Sequence, residues 1–460
     1  MMMAAERQSF EEAVDFAIRE AERKVDDAVV HAYRSEVRQI RFANSDFSAG
    51  NVSTQQCITL FVAKGKRVGA ATLREVSKAE VVSAVARLAK IVSLSKPNPE
   101  YCGIAQTGFR KKEVMNTFDP RVERLTPDEL AGFVREGIDG ALSRGAARAS
   151  GSLEAGSVRE ILKTTGGARC TQRGTSIAFS IRAFADKDAS GHKVSCTRAM
   201  QHFKPSETGA RAGELACESR APRTLPAGKY DILFDPMAAA ELLVNIGEAA
   251  SIFAVESGLS FLKGRLNKTV GSDMLTVFDD GALPGGMGST AFDAEGVPSQ
   301  KTTLIRFGVL RNFLHSTSTA RRYDVQTTGN AGILEPHPWN VVVEKGNYDV
   351  PELVREMRSG IYVTNSWYTR FSNYTTGEFS TIPRDAVFRV ENGEIVGAVK
   401  GLRISDTMPS VLGGVEALSE AREQIIPTDS MIPVRCGHVL VRGLCVTKSM
   451  EPSAAPSERL

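Results

Sequence analysis

Apolar positions alternate over many short windows and recur at helical spacing over few, so the chain reads as strands with helices set between them. Residues 9–24 place Phe10, Val14, Ala17 and Ala21 on one helical face, and Ser9 with Glu12 has the spacing of a capping box. From residue 28 the period changes. Segments 29–34, 36–42, 54–63 and 68–73 read as strands, the last two joined at Lys64-Gly65-Lys66-Arg67. Helical spacing returns over 77–93, behind Ser77 and Glu80, until Lys96-Pro97-Asn98-Pro99, where proline cannot continue a helix. Thr126-Pro127-Asp128-Glu129 opens a third helix, to residue 142, with a cap, a proline and an acidic first turn. Segments 158–164, 171–185 and 192–201 again read as strands.

Residues 220–228 interrupt all periodicity with two prolines and a glycine, and mark the expected domain boundary. Beyond them, 230–234 is a short buried strand. Asp235-Pro236 starts a helix of about 20 residues by the usual signals. Its apolar face carries Leu242, Leu243, Ile246, Ala249, Ala250 and Phe253. Segments 303–307 and 309–314 form a hairpin around Gly308, and 349–358 is a helix closed by Gly360. Asn392-Gly393 accepts the positive φ of a two-residue turn between strands 387–390 and 395–399. A last helix is expected over 408–424, and one or two strands over 434–446. The fold class is α+β in two domains: residues 1–222 an N-terminal α+β domain, residues 223–446 a mostly β domain. The tail 447–460, rich in Ser, Pro and Ala, is expected to be disordered.

Composition narrows the partners. With 460 residues and 42% hydrophobic content the chain can bury a large core. A net charge of +3, with no long run of Lys and Arg, gives no footprint for nucleic acid or a membrane surface. No apolar run reaches the roughly 18 residues of a membrane span. The start of the chain lacks a secretory pattern. Seven scattered cysteines suit a reducing compartment, so a cytoplasmic location is expected.

Candidate chemistry is sparse. Gly281, Gly285, Gly286 and Gly288 crowd one segment, but without the Lys-Ser/Thr close of a phosphate loop, so a flexible crossing is the simpler reading. Cys436, His438 and Cys445 could offer three metal ligands, yet two of them share one face of an alternating stretch and cysteine is commonly buried. His192 with Cys196 is a thinner case, and His337 in Glu335-Pro336-His337-Pro338-Trp339 fits a structural turn. No serine sits in a Gly-x-Ser-x-Gly elbow. Asp279 and Asp280 point to opposite faces if extended, which suits one of them to capping the glycine turn rather than to a shared acid–base pair. These residues by themselves define no active site.

One block is distinctive as a whole. Asp279-Asp280-Gly281-Ala282-Leu283-Pro284-Gly285, Asp293-Ala294-Glu295-Gly296-Val297-Pro298-Ser299-Gln300-Lys301 and Thr328-Gly329-Asn330 follow one another, with Gly360-Ile361-Tyr362-Val363-Thr364 and Thr376-Gly377-Glu378-Phe379-Ser380 further on. This resembles the TldD/PmbA family, also called the modulator of DNA gyrase family, and its PmbA (TldE) branch most closely. The likeness implies an N-terminal α+β domain and a β-rich, barrel-like C-terminal domain. It also implies a cytosolic dimer that trims peptides. The TldD branch carries zinc on a His-Glu-x-x-x-His helix. Aligned on Leu242-Leu243, those positions are Val244, Asn245 and Ala249 here, none of which supplies the family's ligands or base. The implied role is therefore the zinc-free subunit of a heterodimeric metallopeptidase, with no cofactor of its own, zinc in a TldD-type partner, and unfolded peptide as substrate. Gly285, Gly286, Gly288, Thr328, Gly329 and Asn330 are the candidates for peptide contact. The alternative is a stand-alone, homodimeric peptide-binding or assembly protein without catalysis. A third is a hydrolase with a metal held by dispersed ligands such as Cys436 and His438.

Overall fold

The computed structural model describes residues 2–74, 77–106 and 113–448. Its first half is built on one antiparallel sheet of β1 (Asp27–Ala43), β2 (Asp46–Lys64), β3 (Arg67–Leu73), β4 (Arg148–Thr164), β5 (Arg169–Phe184) and β6 (Ser190–Thr197), in the order β3-β2-β1-β4-β5-β6. Around it lie α1 (Met2–Glu22), α2 (Lys78–Leu94), α3 (Pro120–Glu123), α4 (Pro127–Ser143) and α5 (Pro205–Glu218). Strand alternation decides what each face meets. Val30 and Ala32 pack with α1 and α2, and Leu153, Ile177 and Phe179 with α4 and α5. Val29 and Leu162 face the other way, onto Phe292 from the second half.

The second half contains β7 (Arg223–Thr224), β8 (Gly228–Phe234), β9 (Val277–Asp280), β10 (Lys301–Arg306), β11 (Val309–Leu310), β12 (Val341–Val343), β13 (Gly360–Asn373), β14 (Glu378–Glu391), β15 (Glu394–Lys400), β16 (Leu402–Thr407), β17 (Val415–Leu418), β18 (Glu423–Ile425), β19 (Val434–Cys436) and β20 (Val439–Lys448). Strands β13-β8-β20-β16-β14 form a ring that the β13–β14 pairing closes, so the C-terminal region holds a five-stranded barrel. A second sheet runs β11-β10-β9-β12-β19-β18. The helices are α6 (Pro236–Ala249), α7 (Ile252–Glu256), α8 (Thr317–Arg322), α9 (Val350–Met357) and α10 (Met408–Gly413). Leu242, Leu243 and Ile246 of α6 share one core with Ile232, Ile361 and Val441 of the barrel and with Val277, Val341 and Val434 of the second sheet. A helix packed between two sheets must be apolar nearly all round, and α6 is.

The architecture agrees with an α+β chain whose C-terminal region is barrel-like. Several element boundaries differ from the sequence pattern. Helix α1 starts at Met2, so Ser9 and Glu12 stand inside it and not at its cap. Residues 29–42 are one strand, not two. Strand β6 stops at Thr197, and a 3-10 turn follows at Met200–His202. No element is evident from the pattern over α5, because its glycines depress helix propensity. They are needed for contact: a Cβ on Gly209 or Gly213 would overlap the carbonyl of Gly137 or Ala141 in α4. The helix expected to run about 20 residues from Asp235 breaks at Ser251, where Leu314 N–H donates to Ala250 O and Ile252 N–H to Leu314 O. Strand β11 ends at Leu310, short of residue 314. Helix α9 ends at Met357 and is closed by Arg358 at φ 59°, while Gly360 already belongs to β13. The helix expected over 408–424 ends at Gly413, and Val415 and Ala417 turn inward on β17. Thr447 and Lys448 belong to β20, and the rest of the tail lies outside the described residues. The Asn392-Gly393 turn has φ 52° and 79°, as a two-residue hairpin of this kind requires.

Candidate functional site

Helix α6 has two unlike ends. At its start Asp235 is 5% exposed and accepts from Met237 N–H at 3.1 Å, which satisfies one of the orphan donors of the first turn. Lys193 of β6 reaches the same carboxylate at 3.6 Å and Glu423 of β18 at 2.8 Å. His438 Nε2 lies 3.4 Å from Asp235, and the Tyr362 hydroxyl 3.3 Å from it. Burial alone would raise the carboxyl's pKa, but Lys193, His438 and the Met237 N–H outweigh it and hold it well below the usual carboxylate range. This end is closed, and the carboxylate is fully engaged.

The other end opens. Asn245 and Ala249 line a cavity of about 320 Å³, together with Glu248, Phe253, Leu259, Phe261, Glu335, His337, Phe371, Tyr374 and Ile432. Asn245 Nδ2 donates back to Glu241 O at 3.1 Å and Leu242 O at 3.0 Å. Val244 is buried beside them. A zinc site needs three or four nitrogen, sulfur or carboxylate donors converging on one point. Val244, Asn245 and Ala249 offer none, and no group of three His, Cys, Asp or Glu among the described residues is placed to hold a metal. These residues do not fit the family's zinc. Phe253, Glu335 and Pro336 also line a second cavity of about 420 Å³, bounded by Tyr101 and Ile104 of the first half.

The glycine-rich segment and Thr328-Gly329-Asn330 come together around Asp279. Its buried carboxylate accepts from Asn330 Nδ2 at 2.6 Å, Trp339 N–H at 2.7 Å and Asn340 N–H at 3.0 Å. Asp280, on the opposite face, caps the glycine turn through Ala282 N–H at 3.0 Å. Asn340 Oδ1 accepts from Gly288 N–H at 2.9 Å, and a Cβ on Gly288 would overlap Trp339 O. Gly286 is buried against Ser289 and Asn340. Gly329 O accepts from the Trp339 indole at 2.8 Å, and the Thr328 hydroxyl donates to His315 O at 3.1 Å. Of the six candidates, Gly285 lines a cavity. That cavity, about 410 Å³, lies between β6 and β18 and is also lined by Arg198, Arg422 and Arg435. Each of the two strands is an edge of its own sheet.

Arg198, 9% exposed, secures the glycine segment to the first half. It donates to Gly286 O at 3.0 Å, to Met287 O, to Ser289 O at 3.2 Å and to Thr175 O at 3.4 Å. Burial pushes its pKa down to about 10, against the Glu160 carboxylate. A single arginine just after a strand carries no sequence signal for this work. Neither do the cavity's walls, which come from five separate stretches of chain.

The dispersed metal candidates are not brought together as a set. The Cys436 thiol is buried against Pro236 O, and burial raises its pKa. His438 turns to Asp235 and Tyr362. Cys445 lies further along β20, and its N–H bonds Asp406. His192 sits between Ser180 and Asn365, while Cys196 donates to Gln424 O at 3.1 Å. His337 lines the α6 cavity with its ring against Trp339.

Comparison with known proteins places this geometry. Residues 227–448 match the PmbA/TldA metallopeptidase C-terminal domain. A metalloprotease of Methanocaldococcus jannaschii is 31% identical over 221 residues, 45% of this chain and 48% of that protein. The aligned stretch is thus about half of that relative's length. Metalloprotease PmbA of Escherichia coli O157:H7 is 25% identical over 95% of this chain and 96% of its own. The crystal structure of TldE from Thermococcus kodakarensis aligns over 95% of this chain and 100% of its own with a TM-score of 0.84 and 20% identity, a likeness of fold.

Proposed function

We propose that this chain, which belongs to the PmbA/TldD family, is the zinc-free subunit of a heterodimeric TldD/TldE-type metallopeptidase that trims unfolded peptides in the cytoplasm. The observation that carries the reading is the open end of α6. The positions of the zinc motif are Val244, Asn245 and Ala249, and the last two line a cavity instead of offering a donor set. A subunit built this way shapes and holds substrate while a TldD-type partner brings the zinc. Two facing sheet edges, β6 and β18, with a cavity between them, suit an extended peptide, because strand addition uses backbone bonds that any sequence can make. Among the described residues no helix is long and apolar enough to cross a membrane.

The test is a tagged pull-down from the native cells with zinc measured in the eluate. An equimolar partner bearing His-Glu-x-x-x-His, with zinc following it, is the expected result. A chain that elutes alone and metal-free removes the subunit reading and leaves the stand-alone peptide binder. A chain that elutes alone with one zinc sends the search back to Cys436 and His438.

A further inference from the structure

Phe253, Leu259 and Tyr374 are 45%, 49% and 50% exposed, and all three line the cavity beside Asn245 and Ala249. Single exposed apolar residues are ordinary, but three converging on one concavity mark a binding surface. Phe371 stacks on Tyr374 at 5.2 Å and 13°, which gives the cavity one flat aromatic wall. The rim has one sign of charge. Glu248 and Glu335 line it, no Lys or Arg does, and neither carboxylate forms an ion pair within the described residues. Glu248 receives one hydrogen bond, from the Ser430 hydroxyl at 3.1 Å. Burial lowers the pKa of His337 and so disfavours its charged form. Asn245 spends its amide hydrogens on its own helix, so its oxygen remains an acceptor.

We infer that this cavity takes a peptide segment in which a large apolar side chain lies beside a positive charge. The aromatic wall covers the side chain, and Glu248, Glu335 and the Asn245 oxygen receive the cation. The second cavity, across Phe253, gives the rest of the peptide a path toward the first half of the chain. The cation has two sources of the same chemistry: a peptide's terminal ammonium or a Lys or Arg side chain. The inference rests on the reading that this chain holds peptide, and names what it holds. It does not depend on a zinc-bearing partner.

The probe is a Phe-Lys-Gly-Gly-Gly-Gly peptide labelled with fluorescein at its C-terminus, titrated with the full chain and followed by anisotropy. F253A and L259A each change a half-exposed side chain, and their melting curves report folding independently. Each is expected to weaken binding about tenfold with the melting curve unchanged. E248Q/E335Q is expected to remove the preference for this probe over one with glutamic acid in place of lysine. N-acetylating the probe and exchanging its lysine for glutamine separate the two cation sources: loss of affinity in either arm assigns the charge. Loss in neither arm overturns the inference. So does binding by F253A and L259A within about twofold of the unmodified chain, or equal affinity for the probe and for an N-acetylated probe with glutamic acid in place of lysine. A failed pull-down with intact peptide selectivity would sink the subunit reading alone. A successful pull-down with no selectivity would sink this inference alone.

Discussion

The two ends of α6 invert each other. At Asp235 a backbone N–H, a lysine, a histidine and a tyrosine converge on one buried carboxylate, with the side chains coming from β6, β13 and the β19–β20 connection, while Glu423 of β18 holds the lysine. About three to four turns later Asn245 and Ala249 face a cavity with open acceptors and half-exposed rings. One helix thus carries a joint at its start and a binding surface near its end. Side chains that are fully partnered hold structure, and side chains left wanting partners are free to meet a ligand. The same contrast separates the Asp279 knot, where the sequence motifs are densest, from the cavity walls, where there are none.

The contrast breaks most sharply at the closed end. Asp235→Ala removes a helix cap, leaves Lys193 with Glu423 alone and takes the shared acceptor from His438 and Tyr362, and is expected to cost about 3–5 kcal/mol in urea unfolding. A cost under about 1 kcal/mol would mean the joint is ornamental. Arg198→Ala strands several buried carbonyls and should cost about 2–3 kcal/mol, with faster proteolytic cleavage between Gly285 and Gly288. Unchanged cleavage would count against the clamp.

A pH test comes next in size. Burial, with Arg182 and Lys193 near and Asp385 opposing, holds His192 down to about 4. The unfolded chain's histidine takes its proton near 6.5, so this group's stabilisation is complete above that pH and declines as pH falls toward 4. The slope should approach about 1.4 kcal/mol per pH unit at most. Against His192→Gln, the wild-type chain should lose its advantage across that window, read as unfolding free energy at each pH. A constant difference would show that His192 is not held neutral. The smallest effect belongs to the open end. Asn245→Ala and Glu248→Gln should each shift unfolding by no more than about 0.5 kcal/mol, because neither group completes a buried network. A loss above about 2 kcal/mol would make the cavity wall structural after all.

Much of the fold was legible because local physics coincides with it. The Ser77 cap, the capping box of Thr126 and Glu129 and the Asn392-Gly393 turn rest on short-range bonds that the sequence spells out, and each is present. Elements that depend on distant contact were not. Gly209 and Gly213 look unhelical until α4 lies against them. The break at Ser251 needs Leu314, more than sixty residues on. Asp280 as the cap of the glycine turn was readable from its position; Asp279 as the centre of a buried knot was not, since Asn330, Trp339 and Asn340 arrive from far along the chain. The α6 cavity was the least legible part. Its exposed apolar residues lie on separate turns and strands with no common period, and their meeting is a property of the tertiary fold.

The bonds that run from the first sheet into the second half have a practical consequence for dissecting the protein. Arg182 and Ser190 bond Asp385, His192 meets Asn365, Lys193 meets Asp235 and Glu423, and Arg198 gathers the carbonyls of the glycine segment. A gene cut between β6 and β8 would divide every one of these pairs between two fragments. Each fragment would then display half of a severed contact as a charged or hungry polar scar on an unprotected strand edge, a surface prone to clumping in the tube. Loss of activity on truncation would report that scar before it reported anything about the cavity, so point substitutions are the cleaner instrument for this molecule.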